Sequence, residues 1–406
     1  MSGHRLERVA IVLTGAAARG AFQAGALAAL LTGLAEQGRS PTVAIGTSAG
    51  ALNSALWASC AHLSPGEIAH ALRSAWMSTD QQDVIAHPAL SLPRAAVDMA
   101  RSSLGLGGGM RALLDTSPLA ATVDRYLDAE QVAANVEAGI VEAVGVVATR
   151  MPAVAEPVAV SSGRSVVFLD TRLDASGVDD PERAVDLAPT SITAHHVLAS
   201  SAIPMVFPAA WVPTPPSRIG WYLDGGIRLN APIRPAVQLG ADRIVVVSAH
   251  ATQYGESPPP EQAECPSPDA ADAAAHVLHA VLADSMVEDL ADLRWKNHLC
   301  EQVRGPVPGR SGRPLRRLPH LAVGPRPGQL AHLAEQVLSK KFGARVWDWW
   351  DDSGTWVLGR LIRGLGDGPG RAELLSYLAF DRDYFLAQVE LGRKAAEAAL
   401  AQGWQE

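Results

Sequence analysis

The chain has 406 residues, is 48% hydrophobic and carries a formal net charge of -8 at pH 7. This length and apolar content are sufficient for the core of one large domain or two smaller ones, so a disordered protein is not expected. The acidic balance argues against nucleic acid as a partner, because proteins that bind nucleic acid usually present a basic stripe or patch.

The cysteines and the N-terminal segment bear on location. Cys60, Cys265 and Cys300 lie far apart, with no CxxC or metal-ligand spacing, so neither a disulfide framework nor a zinc site is predicted. The N-terminal segment lacks the length and cleavage site of a signal peptide, and no apolar stretch is long enough to span a bilayer. We therefore expect a cytoplasmic protein, which would visit the inner membrane surface peripherally if its substrate is a lipid.

Two units of strand, loop and helix open the chain. Residues 8–14 (RVAIVLT) are a β-branched run that predicts a strand, and the Ala/Leu-rich pattern over 21–36 predicts a helix. A second short apolar run at 42–45 precedes a predicted helix over 48–59. This alternation favours parallel strands connected by helices.

Later segments continue the α/β pattern and indicate a boundary. Strand-like runs at 141–149, 165–169 and 243–248 are separated by helical segments, which predicts a mainly parallel sheet covered by helices. The segment 257–268 (SPPPEQAECPSP) contains too much proline for a helix or strand. We therefore predict one α/β domain over 1–255 and a mostly helical region over 256–406 that packs on it or completes it. The elements predicted in this second region are a long helix over 271–299, a strand over 318–323 and helix over most of 372–402.

The pentapeptide GTSAG, from Gly46 to Gly50, is a GxSxG sequence at the point where a strand gives way to a helix. A nucleophile elbow requires this position: the glycines allow a strained turn, and the N-terminus of the following helix favours developing negative charge. Ser48 is therefore a candidate nucleophile. The alternative is a turn of small residues before a core helix.

The loop between the first strand and the first helix contains only small residues and one arginine: Gly15, Ala16, Ala17, Ala18, Arg19 and Gly20. Parallel neighbouring strands would bring this loop beside Ser48, where its N–H groups could stabilise an oxyanion. A dinucleotide-binding loop is the alternative. It would need glycine at position 17 and an acidic residue at the end of a following strand, and the chain has neither.

Asp224 is a candidate base. It lies between apolar residues and the pair Gly225 and Gly226, so it should end a short strand or begin a turn. An aspartate before two glycines is also common in turns that have no chemical role. A triad of Ser48, Asp224 and His250 is an alternative, because the chain order is that of an α/β-hydrolase and His250 follows a strand-like run.

Four successive segments of this chain resemble the conserved blocks of patatin-like phospholipases. They are TGAAARGAFQAGAL, GTSAG, ASSAIPMVFPA at 199–209 and YLDGGIRLNAP at 222–232. The C-terminal stretch LLSYLAFDRDYFLAQVELG at 374–392 is also similar to the end of many bacterial members. The resemblance thus covers nearly the whole chain.

The resemblance implies a three-layer α/β/α fold and a catalytic dyad without histidine. Ser48 would be the nucleophile, Asp224 would take its proton, and the N–H groups of residues 15–20 would bind the oxyanion, with Arg19 fixing the loop. It also implies a lipid or acyl ester as substrate, and no metal or cofactor. Acyl transfer to another acceptor, thioester hydrolysis and a non-catalytic binding role stay open, because the first two use the same acyl-enzyme.

The loop departs from the family pattern where Ala16 and Ala17 replace glycines. Alanine keeps the backbone N–H but resists positive φ. We therefore expect the loop to avoid positive φ at these positions.

Three further segments could touch lipid. The tryptophans at 347, 349, 350 and 356 could lie at a lipid interface, and the arginines at 310, 313, 316 and 317 could meet anionic headgroups. The segment 257–268 and the predicted helix over 271–299 could form a lid over the site. A helix packed on the core and a solvated basic loop are the respective alternatives for the first two.

Overall fold

The computed structural model describes residues 7–106, 109–152, 163–255, 267–309, 314–342, 364, 366 and 368–406. The strands are β1 (Val9–Leu13), β2 (Pro41–Thr47), β3 (Ala143–Arg150), β4 (Arg164–Thr171), β5 (Val185–Pro189), β6 (Ala210–Val212), β7 (Gly220–Asp224), β8 (Arg243–Val247), β9 (Val307–Pro308), β10 (Pro314–Leu315) and β11 (His320–Val323). The α-helices are α1 (Gly20–Glu36), α2 (Ala49–Cys60), α3 (Pro65–Met77), α4 (Gln81–Val84), α5 (Pro88–Ser103), α6 (Ser117–Tyr126), α7 (Ala129–Glu137), α8 (Ala194–Ser200), α9 (Ile233–Gln238), α10 (Ala270–His279), α11 (Ser285–Gln302), α12 (Gln329–Phe342), α13 (Pro369–Leu378) and α14 (Arg382–Gln402).

One mixed sheet forms the middle of the molecule, in the order β11-β8-β1-β2-β3-β4-β5. The first five strands of this order are parallel, as predicted, whereas β4 runs antiparallel to β3. Arg150 and Arg164 lie directly opposite each other, so the chain reverses direction here instead of crossing over the sheet. The hairpin of β6 and β7 pairs with the last residues of β3, beyond the end of β2.

Helices cover both faces of the sheet. In β8, Val245 and Val247 are buried on the face that packs against α1 and α2, while Ile244 and Val246 are buried on the face that packs against α9 and α11. Because both faces of the strand are covered, its sequence is a continuous apolar run instead of an alternating one. The fold is therefore α/β, with three layers.

The C-terminal region contributes to the same sheet and core. The strand β11 pairs with β8, and α14 packs along α1. At their crossing, a Cβ added to Gly25 would lie 2.0 Å from the Val389 carbonyl oxygen, and one added to Gly392 would lie 2.0 Å from the Phe22 carbonyl oxygen. Glycine on both helices therefore allows the two backbones to touch. The boundary at 255/256 stays a prediction.

Two predicted helices are interrupted. The helix expected over 271–299 contains a π-helical turn, Ala280–Asp284, between α10 and α11. The helix expected over 372–402 breaks after Leu378, because Asp381 starts a new helix by accepting hydrogen bonds from the N–H groups of Asp383 and Tyr384. Both breaks lie close to the candidate site.

Some of the predicted lipid-contacting features lie outside the described residues: the tryptophan segment, most of 257–268, and the arginines at 310 and 313. Arg316 and Arg317 are described and form ion pairs, with Asp242 and with Glu301 and Glu406 respectively. Among the described helices, none has the length and apolar character needed to cross a membrane.

Candidate active site

The ends of β2 and β7 meet beside β3. Thr47, the last residue of β2, lies opposite Val147, and Asp224, the last residue of β7, lies opposite Ala148. Because neighbouring positions of one strand hold these two ends, Ser48 and Asp224 are adjacent although 176 positions separate them. Both side chains are buried, and the Ser48 hydroxyl lies close enough to the Asp224 carboxyl group to lower its pKa.

Ser48 occupies a strained turn. Its φ of 55° and ψ of -125° fall in a region that residues other than glycine rarely adopt. The flanking glycines allow the turn: an added Cβ at Gly46 would lie 2.1 Å from the Gly50 carbonyl oxygen, and one at Gly50 would lie 2.4 Å from the Leu13 carbonyl oxygen. The Ser48 N–H donates to Ser200 Oγ at 2.8 Å. The hydroxyl of Ser48 is therefore held at the start of α2, where the helix dipole favours negative charge.

Asp224 has a buried carboxyl group that accepts few hydrogen bonds from its neighbours. Burial raises its pKa to about 6, although the nearby Ser48 hydroxyl and the hydrogen bond from the Gly226 N–H lower it. The Gly226 N–H lies 2.7 Å from Asp224 Oδ1, and Gly225 and Gly226 begin a 3-10 turn. A carboxylate with this pKa is ionised at neutral pH and is a stronger base than an exposed aspartate.

The loop of residues 15–20 contains a 3-10 turn, Ala17–Arg19, that leads into α1. Ala17 has a φ of 47°, so the expectation that this loop avoids positive φ is wrong at that position; Ala16 has a φ of -148°. The turn requires the left-handed conformation, and the surrounding packing imposes it on alanine at a cost of about 1–2 kcal/mol. Within the described part of the chain, the N–H groups of Ala16 and Ala17 have no acceptor.

Replacement of Ala17 by glycine should relieve this strain. Because Ala16 lies at negative φ, Ala16→Gly only adds conformational freedom to the unfolded chain, and it serves as the matched control. We expect Ala17→Gly to be more stable than Ala16→Gly by about 1–2 kcal/mol in urea unfolding. Turnover of Ala17→Gly should stay close to that of the parent, since the N–H and the loop conformation are kept; a gain of orders of magnitude would show that alanine impairs the loop.

Residues of the C-terminal region bind Arg19, which is buried. Its guanidinium forms an ion pair with Glu373 at 2.6 Å, donates to Ser376 Oγ at 2.9 Å and lies 3.8 Å from the centre of the Tyr377 ring. Burial raises the pKa of Glu373, but the hydrogen bond from His279 and the charge of Arg19 outweigh burial and lower this pKa to about 2. Glu373 is therefore ionised and compensates the buried charge of Arg19.

His250 supports the loop. Its Nε2 lies 3.2 Å from the Gly15 carbonyl oxygen, and its Nδ1 lies 3.2 Å from the Tyr377 hydroxyl. Burial lowers the pKa of His250 to about 3, so the ring is neutral, with the proton on Nε2 and Nδ1 accepting from Tyr377. Both ring nitrogens are thus used elsewhere, and in the described structure neither contacts Ser48 or Asp224. These contacts give no support to the alternative of a Ser48, Asp224 and His250 triad.

Two further polar side chains fix the loop. Asn230 Oδ1 accepts from the Gly15 N–H at 2.8 Å, and Asn230 Nδ2 donates to the Leu282 carbonyl oxygen in the π-helical turn. Gln388 Nε2 donates to the Ala18 carbonyl oxygen at 3.0 Å, and Gln388 Oε1 accepts from the Phe22 N–H. The loop is therefore held from both sides, by residues of the sheet domain and of α14.

An apolar pocket opens beside Ser48. Its wall is formed by α2, α3, α6, the segment after α8, and Phe380. The apolar residues that line the pocket include Ala17, Leu52, Leu56, Trp76, Phe207 and Phe380. Because hydrocarbon surface of this kind removes an alkyl chain from water, the pocket suits a fatty acyl group.

Sequence reasoning did not identify several site residues. Ser200 and Asn230 fall inside segments that resemble the family blocks, and this position is the sequence signal that could have marked them. Glu373, Ser376, Tyr377 and Gln388 lie in the C-terminal region, where no local pattern shows which loop they contact.

Comparisons with known proteins show which family the chain resembles. Residues 11–237, more than half of the chain, match the family model described as patatin-like phospholipase. The crystal structure of VipD from Legionella pneumophila is similar over 97% of this chain and 88% of VipD, with 12% sequence identity and a TM-score of 0.25, too low a score to support any argument. No curated protein sequence matches the chain. The extent of the family match shows that this protein belongs to the patatin-like phospholipase family.

Proposed function

We propose that this chain hydrolyses lipid acyl esters, as a phospholipase A or esterase, through a dyad of Ser48 and Asp224. The observation that carries the proposal is the pairing of a strained, buried serine with a buried carboxyl group of raised pKa at the same edge of the sheet. Membership of the family supports a lipid acyl hydrolase in general.

In the first half of the reaction, the Asp224 carboxylate takes the hydroxyl proton of Ser48 while Oγ bonds to the ester carbonyl carbon. The carbon–oxygen bond to the alcohol then breaks, and the alcohol leaves with the proton from Asp224. In the second half, Asp224 takes a proton from water, whose oxygen attacks the acyl-enzyme. The fatty acid leaves, and Ser48 recovers its proton.

A carboxylate is a weak base for an alcohol, so hydrogen bonds to the developing oxyanion must supply much of the rate. We assign this role to the N–H groups of Ala16 and Ala17, which lack acceptors within the described residues, together with the N-terminus of α2. The Gly15 N–H is occupied by Asn230, so Gly15 orients the loop instead of donating to substrate. The acyl chain would occupy the apolar pocket beside Ser48.

A long-chain alkyl fluorophosphonate tests the proposal, because its phosphorus reacts with a serine that has an active base and its chain requires an apolar pocket. We expect mass spectrometry to find the adduct on Ser48 in the parent protein and at a rate on the order of 100-fold lower in Asp224→Asn. An adduct on another residue, or equal labelling in Asp224→Asn, would contradict the dyad.

A further inference from the structure

An exposed apolar row crosses the hairpin of β6 and β7. Trp221 lies opposite Trp211, and the centres of their rings are 5.2 Å apart. On the other edge of β7, where it pairs with β3, the Met151 N–H donates to the Trp221 carbonyl oxygen at 2.9 Å. Residues opposite each other on antiparallel strands project from the same face. Ile219 lies just before β7 and is also exposed. We call Met151, Ile219, Trp211 and Trp221 the aromatic row; each is at least 40% exposed.

The aromatic row is close to the proposed base. Trp221 and Asp224 belong to the same strand, three positions and about 10 Å apart. Side chains alternate between the two faces of a strand, so Asp224 is buried beside Ser48 while Trp221 projects to the surface. A surface that contacts Trp221 would thus lie on the order of 10 Å or more from Asp224.

The surroundings of the row are basic, in a chain whose net charge is negative. Four arginines lie there: Arg150, Arg164, Arg218 and Arg228. Among the described residues, Asp186 forms ion pairs with Arg164 and Arg218, and Asp179 lies close to Arg164. These four arginines outnumber these two acids, which favours an anionic partner.

We propose that the aromatic row and these arginines are the surface by which the protein docks on an anionic lipid bilayer. This inference rests on the proposed lipid hydrolysis. Indole side chains favour the headgroup region of a bilayer, and arginines are attracted to anionic lipid. A bilayer fits better than a second protein, because a row of four apolar side chains with a basic border is small for a stable protein interface, which usually buries more than about 1,000 Å².

Vesicle binding of three variants tests this proposal. The vesicles contain phosphatidylcholine with or without about 30% phosphatidylglycerol. The double variant Trp211→Ala, Trp221→Ala removes both indoles, Met151→Glu adds a negative charge to the row, and Trp295→Ala in α11 removes a tryptophan of similar exposure elsewhere. We expect the parent and Trp295→Ala to co-sediment with anionic vesicles. The double variant and Met151→Glu should bind these vesicles with an affinity at least roughly tenfold lower.

Hydrolysis of a soluble short-chain ester separates docking from chemistry. We expect all three variants to keep the rate of the parent on this substrate, while the double variant and Met151→Glu lose activity on vesicles. Equal vesicle binding by the double variant and the parent would overturn the proposal, as would failure of the parent to bind or a dimer in the parent that the double variant loses. If the parent bound vesicles but hydrolysed no ester, the proposed function would fail and the docking surface would stand.

Discussion

Ser48→Ala should lower the rate of ester hydrolysis by a factor on the order of 10⁴ or more, because no acyl-enzyme can form without the hydroxyl. The fold should persist, since the Ser48 N–H keeps its hydrogen bond to Ser200 Oγ and the glycines that allow the turn are unchanged. Initial rates on a soluble ester and circular dichroism of the same samples measure the two effects.

Ser59→Ala is the matched control for this substitution. Ser59 is a buried serine near the C-terminal end of α2, far from the Ser48 turn that precedes the helix, and its hydroxyl donates to the Ala55 carbonyl oxygen. We expect Ser59→Ala to keep nearly full activity. Activity that survives in Ser48→Ala would mean that another residue is the nucleophile.

Asp224→Asn should abolish activity and also stabilise the protein at neutral pH. The pKa of Asp224 is raised to about 6 in the folded state, whereas an aspartate in the unfolded chain titrates near about 3.9. The folded state therefore holds its proton more tightly, so the free energy of unfolding falls as pH rises from about 4 to about 6 and stays lower above that range. Asparagine cannot ionise, and its amide oxygen can still accept from the Gly226 N–H.

Urea unfolding at two pH values measures this effect. At pH 7 we expect Asp224→Asn to exceed the parent by up to about 3 kcal/mol, and below pH 4 the difference should disappear. In the parent, kcat/KM should rise with pH to a plateau above about 6, since only the carboxylate can take the serine proton. A kcat/KM that is flat between pH 5 and 7 would contradict the assignment of Asp224 as base.

Local patterns predicted the central elements of this fold and the two candidate catalytic residues. The switch from a β-branched run to a helical pattern located the turn at Ser48, and an acid before two glycines located the end of β7. Such signals are visible in sequence because each depends on residues close together in the chain.

Other features depend on distant contacts and escaped prediction. The positive φ of Ala17 is imposed by packing around the loop, against the preference of alanine. The reversal of β4 depends on how the chain returns from β3, and the π-helical turn places the Leu282 carbonyl oxygen at Asn230. His250 had the chain order of a triad member, but only the three-dimensional contacts showed that it binds Gly15 and Tyr377 instead.

Arg19 and the residues that bind it lie far apart in the sequence, and this has a consequence for synthesis of the chain. Arg19 contacts Ser376, which follows it by 357 positions, so the ribosome adds this partner roughly 20–70 s after Arg19 at typical rates of elongation. Until that segment emerges and folds, Arg19 lacks the anion that compensates its burial, and the loop beside Ser48 lacks its support. We therefore expect a nascent chain to be inactive until the ribosome has added α13 and α14 and both helices have folded against the loop.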